Sequence, residues 1–472
     1  MVLTINCMHL IKNYKNYIYI LINLIFFLNI ILFFTSIFYL KHSITSYLIF
    51  SVISIFYFYY TCLKFRSYTE LYISIFLYLG FWFKCSIFFI LNDYTYRRLP
   101  ESPQSYIIMT DEYLNKHYSV VFNISSLSIL IIFFTFFIIN NFILSSNNNK
   151  FNNCRLIGLK NFFLKNKIKL YFSYIFLSLL LIFLNYFFSV AYRGKTYLSF
   201  EIIEHIFKIF LFFGILVIGC LFLEFEDKQK NIKKFILYNV IQGFLISISI
   251  HSRAMIFEQL VIFSSVFKKL KKKSFNIKFL FFLMIIFFLS VAIVSIVRSS
   301  NSNKKIVYHF SFINDFFTLG TQRWVGIDGL STVISYKEKG LNFYLNALKE
   351  TNKLDVTFYE KNFFKKEQNS DSFYKSTFVP GFIAFIYYSD SIFILIITLI
   401  FLISVLVYIE RVINYLSMNS SIVTNYLAFV VVWRIIHFGV YPVYTFYYYL
   451  IIIFFVFCIY FSNKLLNKYY DR

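Results

Sequence analysis

Residues 392–409 read Ile-Phe-Ile-Leu-Ile-Ile-Thr-Leu-Ile-Phe-Leu-Ile-Ser-Val-Leu-Val-Tyr-Ile, with no charge anywhere in the run. A stretch of that length and polarity spans the hydrocarbon core of a bilayer as a helix. In lipid every backbone N–H and C=O must be satisfied within the segment itself, and a helix does this. The chain repeats the pattern. Apolar runs lie near 17–39, 44–63, 68–91, 119–143, 170–191, 202–223, 235–250, 254–267, 279–297, 389–409, 421–440 and 443–462. A transmembrane β-barrel would show short alternating segments instead of solid runs. Apolar residues are 59% of the 472, above the roughly 45–50% of soluble domains. The sequence therefore predicts an all-α polytopic integral membrane protein of about twelve transmembrane helices with one long external loop. The short runs 235–250 and 254–267 predict either a tight helical hairpin or one broken helix, and 379–389 predicts a segment that dips into the membrane. No cleavable secretory signal is evident, since the first apolar run follows Lys12 and Lys15 and is long enough to span.

The formal charge of +24 does not imply a nucleic-acid partner, because cations of membrane proteins gather in cytoplasmic loops. Twelve spans put both termini on one side. That side takes the two tails and the basic stretches 150–169, 228–234 and 268–278. The short loops opposite hold only Lys41, Arg97, Arg98, Lys116, Arg193, Lys195 and Arg253. The richer side is predicted to be cytoplasmic, which places the polar stretch 298–378 outside; long loops translocate largely regardless of charge. Three regions follow: 1–297 with nine spans, 298–388 as the external loop with a re-entrant segment, and 389–472 with three spans. Cys7, Cys62, Cys85, Cys154, Cys220 and Cys458 fall in cytoplasmic segments or spans, so no disulfide is expected. No spacing resembles a metal site, and there is no phosphate-binding glycine loop or dinucleotide fingerprint. Neither a metal nor another cofactor is expected, and ATP-driven transport by this chain alone is not expected either.

Ionisable residues inside spans are costly and mark functional candidates. Lys84 stands in the outer part of the third span, where it either snorkels to the interface or marks a functional site. Arg193 follows the fifth span, and Arg253 sits between two apolar runs with almost no loop to solvate it. Glu204 and Lys208 open the sixth span as a self-neutralising pair. Arg434 and His437 lie three apart in the eleventh span and so share a helix face. Arg298 ends the ninth span, and the loop beyond it carries Arg323-Trp324-Val325-Gly326-Ile327-Asp328-Gly329. Gly326 and Gly329 permit close backbone approach. Asp328 is suited to accept a proton where its surroundings raise its pKa toward neutral, and Trp324 to stack on a sugar or seat the loop at the interface. On spacing alone, an amphipathic helix packed on the membrane with solvated charges is the better explanation of the loop motif. All these groups lie toward the external half. Guanidinium grips phosphate oxygens bidentately, so Arg193, Arg253, Arg298, Arg323 and Arg434 together suit one anionic group at the outer leaflet, such as a phosphorylated lipid.

Five segments in order resemble the O-antigen polymerases, the oligosaccharide repeat-unit polymerases. They are Gly80-Phe81-Trp82-Phe83-Lys84, Ser252-Arg253, Arg323 to Gly329, Val379-Pro380-Gly381-Phe382 onward to Ser389, and Trp433-Arg434-Ile435-Ile436-His437 onward to Pro442. The turn at His251-Ser252-Arg253-Ala254 lacks the glycines of the family's form, and Asp328 stands where Glu is equally expected. The resemblance implies inverting, metal-independent glycosyl transfer at the outer face of the bacterial inner membrane. The donor would be a glycan on undecaprenyl pyrophosphate and the acceptor a lipid-linked repeat unit, with membrane lipids around the chain and a chain-length regulator as a further candidate partner. Arg253 and Arg323, with Arg193, Arg298 and Arg434, would stabilise the leaving pyrophosphate, and Asp328 or His437 would take the proton. Two rival readings share the topology. A lipid-linked oligosaccharide flippase should show two related halves and no long loop. An O-antigen ligase differs in its acceptor and is separated only by the Arg-Trp-Val-Gly and Pro-Gly segments. A membrane acyltransferase would want an intramembrane His-Asp or His-Asn pair, which the sequence does not display.

Overall fold

The computed structural model describes residues 23, 25–38, 43–64, 66–91, 111–143, 156–188, 206–207, 209–250, 254–267, 285–286, 289–290, 293, 325–350, 358–363, 380–437 and 442–470. Among these residues all regular structure is helical. Among the described residues seven helices are long and apolar enough to cross a bilayer: Ile44–Lys64, Tyr68–Ile87, Lys116–Asn141, Ile157–Phe188, Gln229–Ile250, Ile392–Leu416 and Pro442–Tyr470. Shorter apolar helices run at Ile25–Phe38, Phe210–Phe225 and Ser421–Ile436. Large apolar side chains point outward along them, with Phe38 83% and Ile168 84% exposed. A water-soluble monomer rarely presents contiguous apolar surface on that scale. This is the surface of an α-helical membrane protein.

The chain forms two compact units that interleave in sequence. The first comprises residues 1–147, 308–408 and 431–449, and the second 148–307, 409–430 and 450–472.

In the first unit Ile44–Lys64 packs along Asp111–Ile138. Small polar residues face each other there. Ser46, Ser51, Ser54, Ser125, Ser126 and Ser128 are buried, and Ser46 Oγ bonds Ser119 Oγ at 3.1 Å. Small residues let membrane helices approach closely where lipid supplies no hydrophobic drive. Phe50 stacks on Phe122 beside them, with ring centroids 5.5 Å apart. The next helix starts at Ser67, whose side chain accepts from the Glu70 backbone N–H at 3.3 Å, an N-cap. Glu70 in turn accepts from the Arg66 backbone and from Asn140 Nδ2 at 3.2 Å, which pins this turn to the end of the facing helix. This third rod changes geometry midway. Tyr68–Leu77 is α-helical, Tyr78–Phe83 is a π-helix, and Lys84–Leu91 is α-helical again.

In the second unit Ile157–Phe188 begins well before the apolar run at 170. Lys160, Lys165, Lys167 and Lys169, expected in a loop, lie on its first turns. The cause is tertiary. Asn463 Oδ1 accepts from the Leu159 backbone N–H at 3.0 Å, an end-group partner, and Gly158 leaves no room for a Cβ beside Asn463 and Asn467. The helix kinks at Asn166 (φ −113°, ψ 21°). Beyond the kink, Lys167 pairs with Glu226, which also accepts from Tyr171 at 2.9 Å. Burial alone would raise the Glu226 carboxyl, but the hydrogen bonds from Lys167, the Lys228 backbone, Tyr171 and Asn231 outweigh it and hold the group at about 2. Gln229–Ile250 and Ala254–Phe267 pack against one another, with Gly243 close under Gln259. Of the two readings of this pair, the structure takes the hairpin.

Candidate functional site

The π-helical turn at Tyr78–Phe83 opens the site. π-bulges insert a residue into an α-helix, re-aim the side chains beyond, and concentrate at functional places. Here the turn carries Gly80 and is followed at once by Lys84. Gly80 and Gly326 meet backbone to backbone: a Cβ on Gly80 would collide with the Val325 carbonyl, and one on Gly326 with the Gly80 carbonyl. Gly326 precedes the helix Ile327–Ser335. One residue into that helix, Asp328 forms an ion pair with Lys84, each side chain only 5% exposed. Lys84 therefore does not snorkel. It spends its charge on a buried carboxylate. Nor is Asp328 a solvated charge on a surface helix, because all residues from Ile327 to Val333 are buried.

The Pro-Gly segment closes on the same helix. Gly329 lies against the Pro380 carbonyl, too close for any side chain. Gly381 takes φ +83°, a region that favours glycine, and faces Val325. Phe382–Ile386 and the 3-10 turn Tyr387–Ser389 follow, all of them buried. The carbonyl of Ile436 also lies at Gly381, which brings in the end of Ser421–Ile436. There Trp433 packs edge-on to Phe76 at 5.5 Å and beside His437 at 4.6 Å. His437 Nδ1 donates to the Trp433 carbonyl at 2.8 Å, so any basic role of this ring falls to Nε2. The Arg434 guanidinium sits 3.8 Å from the centre of the Tyr448 ring, a cation–π contact. Thus four of the five segments singled out in the sequence converge in this unit.

Two features carry no signal in the sequence. His117 Nε2 bonds Ser331 Oγ at 2.7 Å, one turn beyond Asp328 on the same helix. The two residues are 214 positions apart, and neither stands in a local pattern. Lys339, on the C-terminal side of the helix, donates to the Ile334 carbonyl at 3.0 Å and lies 3.3 Å from Asp390. The described part of the richly charged stretch 337–375 is held by aromatics. Tyr336, Phe343, Phe358 and Phe363 interlock, and Phe343 and Phe363 pack on the buried Tyr388 at 5.3 and 5.6 Å.

Arg193, Arg253, Arg298, Arg323 and Trp324 lie outside the described residues. Among the described residues no group of three His, Cys, Asp or Glu side chains is placed to hold a metal ion. The chain matches no family model, no curated protein and no solved structure.

Proposed function

We propose that this chain is a membrane glycosyltransferase that polymerises lipid-linked oligosaccharide repeat units into O-antigen or a related surface polysaccharide. In this reading it sits in a bacterial inner membrane with about twelve spans, both termini in the cytoplasm and the 298–378 loop outside. The single observation that supports it most is the convergence around Asp328. Segments scattered over the chain, and chosen because they resemble one enzyme family, interlock through glycine backbones about a buried Lys84–Asp328 pair. Spans that merely cross lipid need no such junction.

The chemistry follows from the groups available. The acceptor hydroxyl oxygen attacks the anomeric carbon of the donor glycan. The bond from that carbon to undecaprenyl pyrophosphate breaks, and the pyrophosphate leaves with the electron pair. Arg253 and Arg323, with Arg193, Arg298 and Arg434, stabilise the charge that grows on it. Asp328 or His437 Nε2 takes the hydroxyl proton. Trp324 seats a sugar face. The activated donor carries its own leaving group, so no nucleotide sugar enters the step.

Deleting the gene distinguishes this function from its neighbours. The expected surface glycan is one repeat unit on the lipid core. Chains of normal length would sink the proposal. Loss of all repeat units from the core would point to a flippase if no periplasmic polymer accumulates, and to a ligase if lipid-linked polymer does.

A further inference from the structure

The Ile327–Ser335 helix is held by two directional polar contacts from two different spans. Lys84 reaches Asp328, and His117 reaches Ser331 at 2.7 Å. Positions i and i+3 lie on one helix face, so both contacts grip the same side. Gly326 and Gly329 are packed against the backbones of Gly80 and Pro380. These close contacts fix where the helix lies, and the ion pair with a second polar contact one turn further on adds a directional hold on its rotation. Apolar residues at 117 and 331 would bury the helix equally well but would not fix its rotation, because van der Waals packing lacks the angular preference of a hydrogen bond. A Ser–His contact is also the pairing of a nucleophile with its base. Ser331 and His117 are buried, and a direct inverting transfer passes through no covalent enzyme intermediate, so the pair has no nucleophile to supply.

We propose that His117 is a positioning residue for the transferase site: by its hydrogen bond to Ser331 it sets the rotation of the Ile327–Ser335 helix and so the placement of Asp328. This rests on the function proposed above. Misplacement of a reacting group by about 1 Å costs on the order of 10²-fold in rate, and a lost positioning contact should act on kcat and not on KM.

The test uses the full-length protein in proteoliposomes with lipid-linked repeat units, reading chain growth on a gel. His117→Ala and Ser331→Ala should each lower kcat by about 10²-fold with KM unchanged, and the double variant should be no worse than either single. His117→Gln, whose amide can still donate to Ser331, should recover most of the rate. Wild-type rates in both alanine variants would overturn the proposal, as would losses that multiply in the double variant. If His117→Ala fails to accumulate, Ser331→Ala and His117→Gln decide the matter by the same criteria. Arg323→Ala runs alongside as the control for the function itself. Polymer made by that variant removes Arg323 from the site, and none made by the wild type counts against the polymerase reading; neither counts against the role of His117.

Discussion

Replacing Lys84 by Met is expected to destabilise the first unit by about 3–5 kcal/mol, the cost of leaving one member of a buried ion pair without the other. Asp328→Asn should cost a similar amount for the same reason. The combined Lys84→Met/Asp328→Asn variant should recover much of the loss, because both charges are then gone; exchanging a whole buried pair for neutral groups is often close to neutral. Thermal unfolding of the detergent-solubilised protein measures all three. Losses that simply add in the double variant would show that the two side chains do not act as a unit. The same variants separate structure from chemistry. A double variant that is folded but makes no polymer assigns Asp328 a part in the reaction. One that is folded and active reduces the pair to scaffolding and leaves His437 as the candidate base.

Arg253→Ala and Arg323→Ala should each abolish chain elongation while the protein stays in the membrane at normal level. A donor aimed at charge that develops in the transition state is worth about 10²–10³ in rate, enough to reduce a long polysaccharide to a single unit within a growth period. Lysine should not substitute, since it lacks the fork that grips two phosphate oxygens at once. The readout is the ladder of surface glycan lengths, with the protein quantified in the membrane fraction. Full-length chains in either variant would remove that arginine from the site.

Helix positions are largely legible in the sequence because lipid imposes a length and a polarity on each spanning segment. The run at 44–63 folds as Ile44–Lys64, and that at 254–267 as Ala254–Phe267. Ends set by tertiary contacts are not legible. Ile157–Phe188 starts well before its apolar run at 170 because Asn463, distant in the chain, caps it. At the site, the glycines of the loop motif signal close backbone approach, and Gly326 and Gly329 do lie against other backbones. Which backbones, those of Gly80 and Pro380, only the fold decides. Lys84 and Asp328 each stand out as a charge in an unfavourable place, but nothing local joins them. His117 gives no signal because it sits at the edge of a span, where polar residues are ordinary, and Ser331 has no distinguishing pattern of its own.

The account is tested most directly by purified protein in proteoliposomes supplied with undecaprenyl-pyrophosphate-linked repeat units and no other component. It predicts a ladder of lipid-linked chains, each one repeat longer than the last, formed in the presence of chelator and without nucleotide sugar. Repeat units that stay single, with or without added nucleotide sugar, or that are only moved across the bilayer, would contradict it.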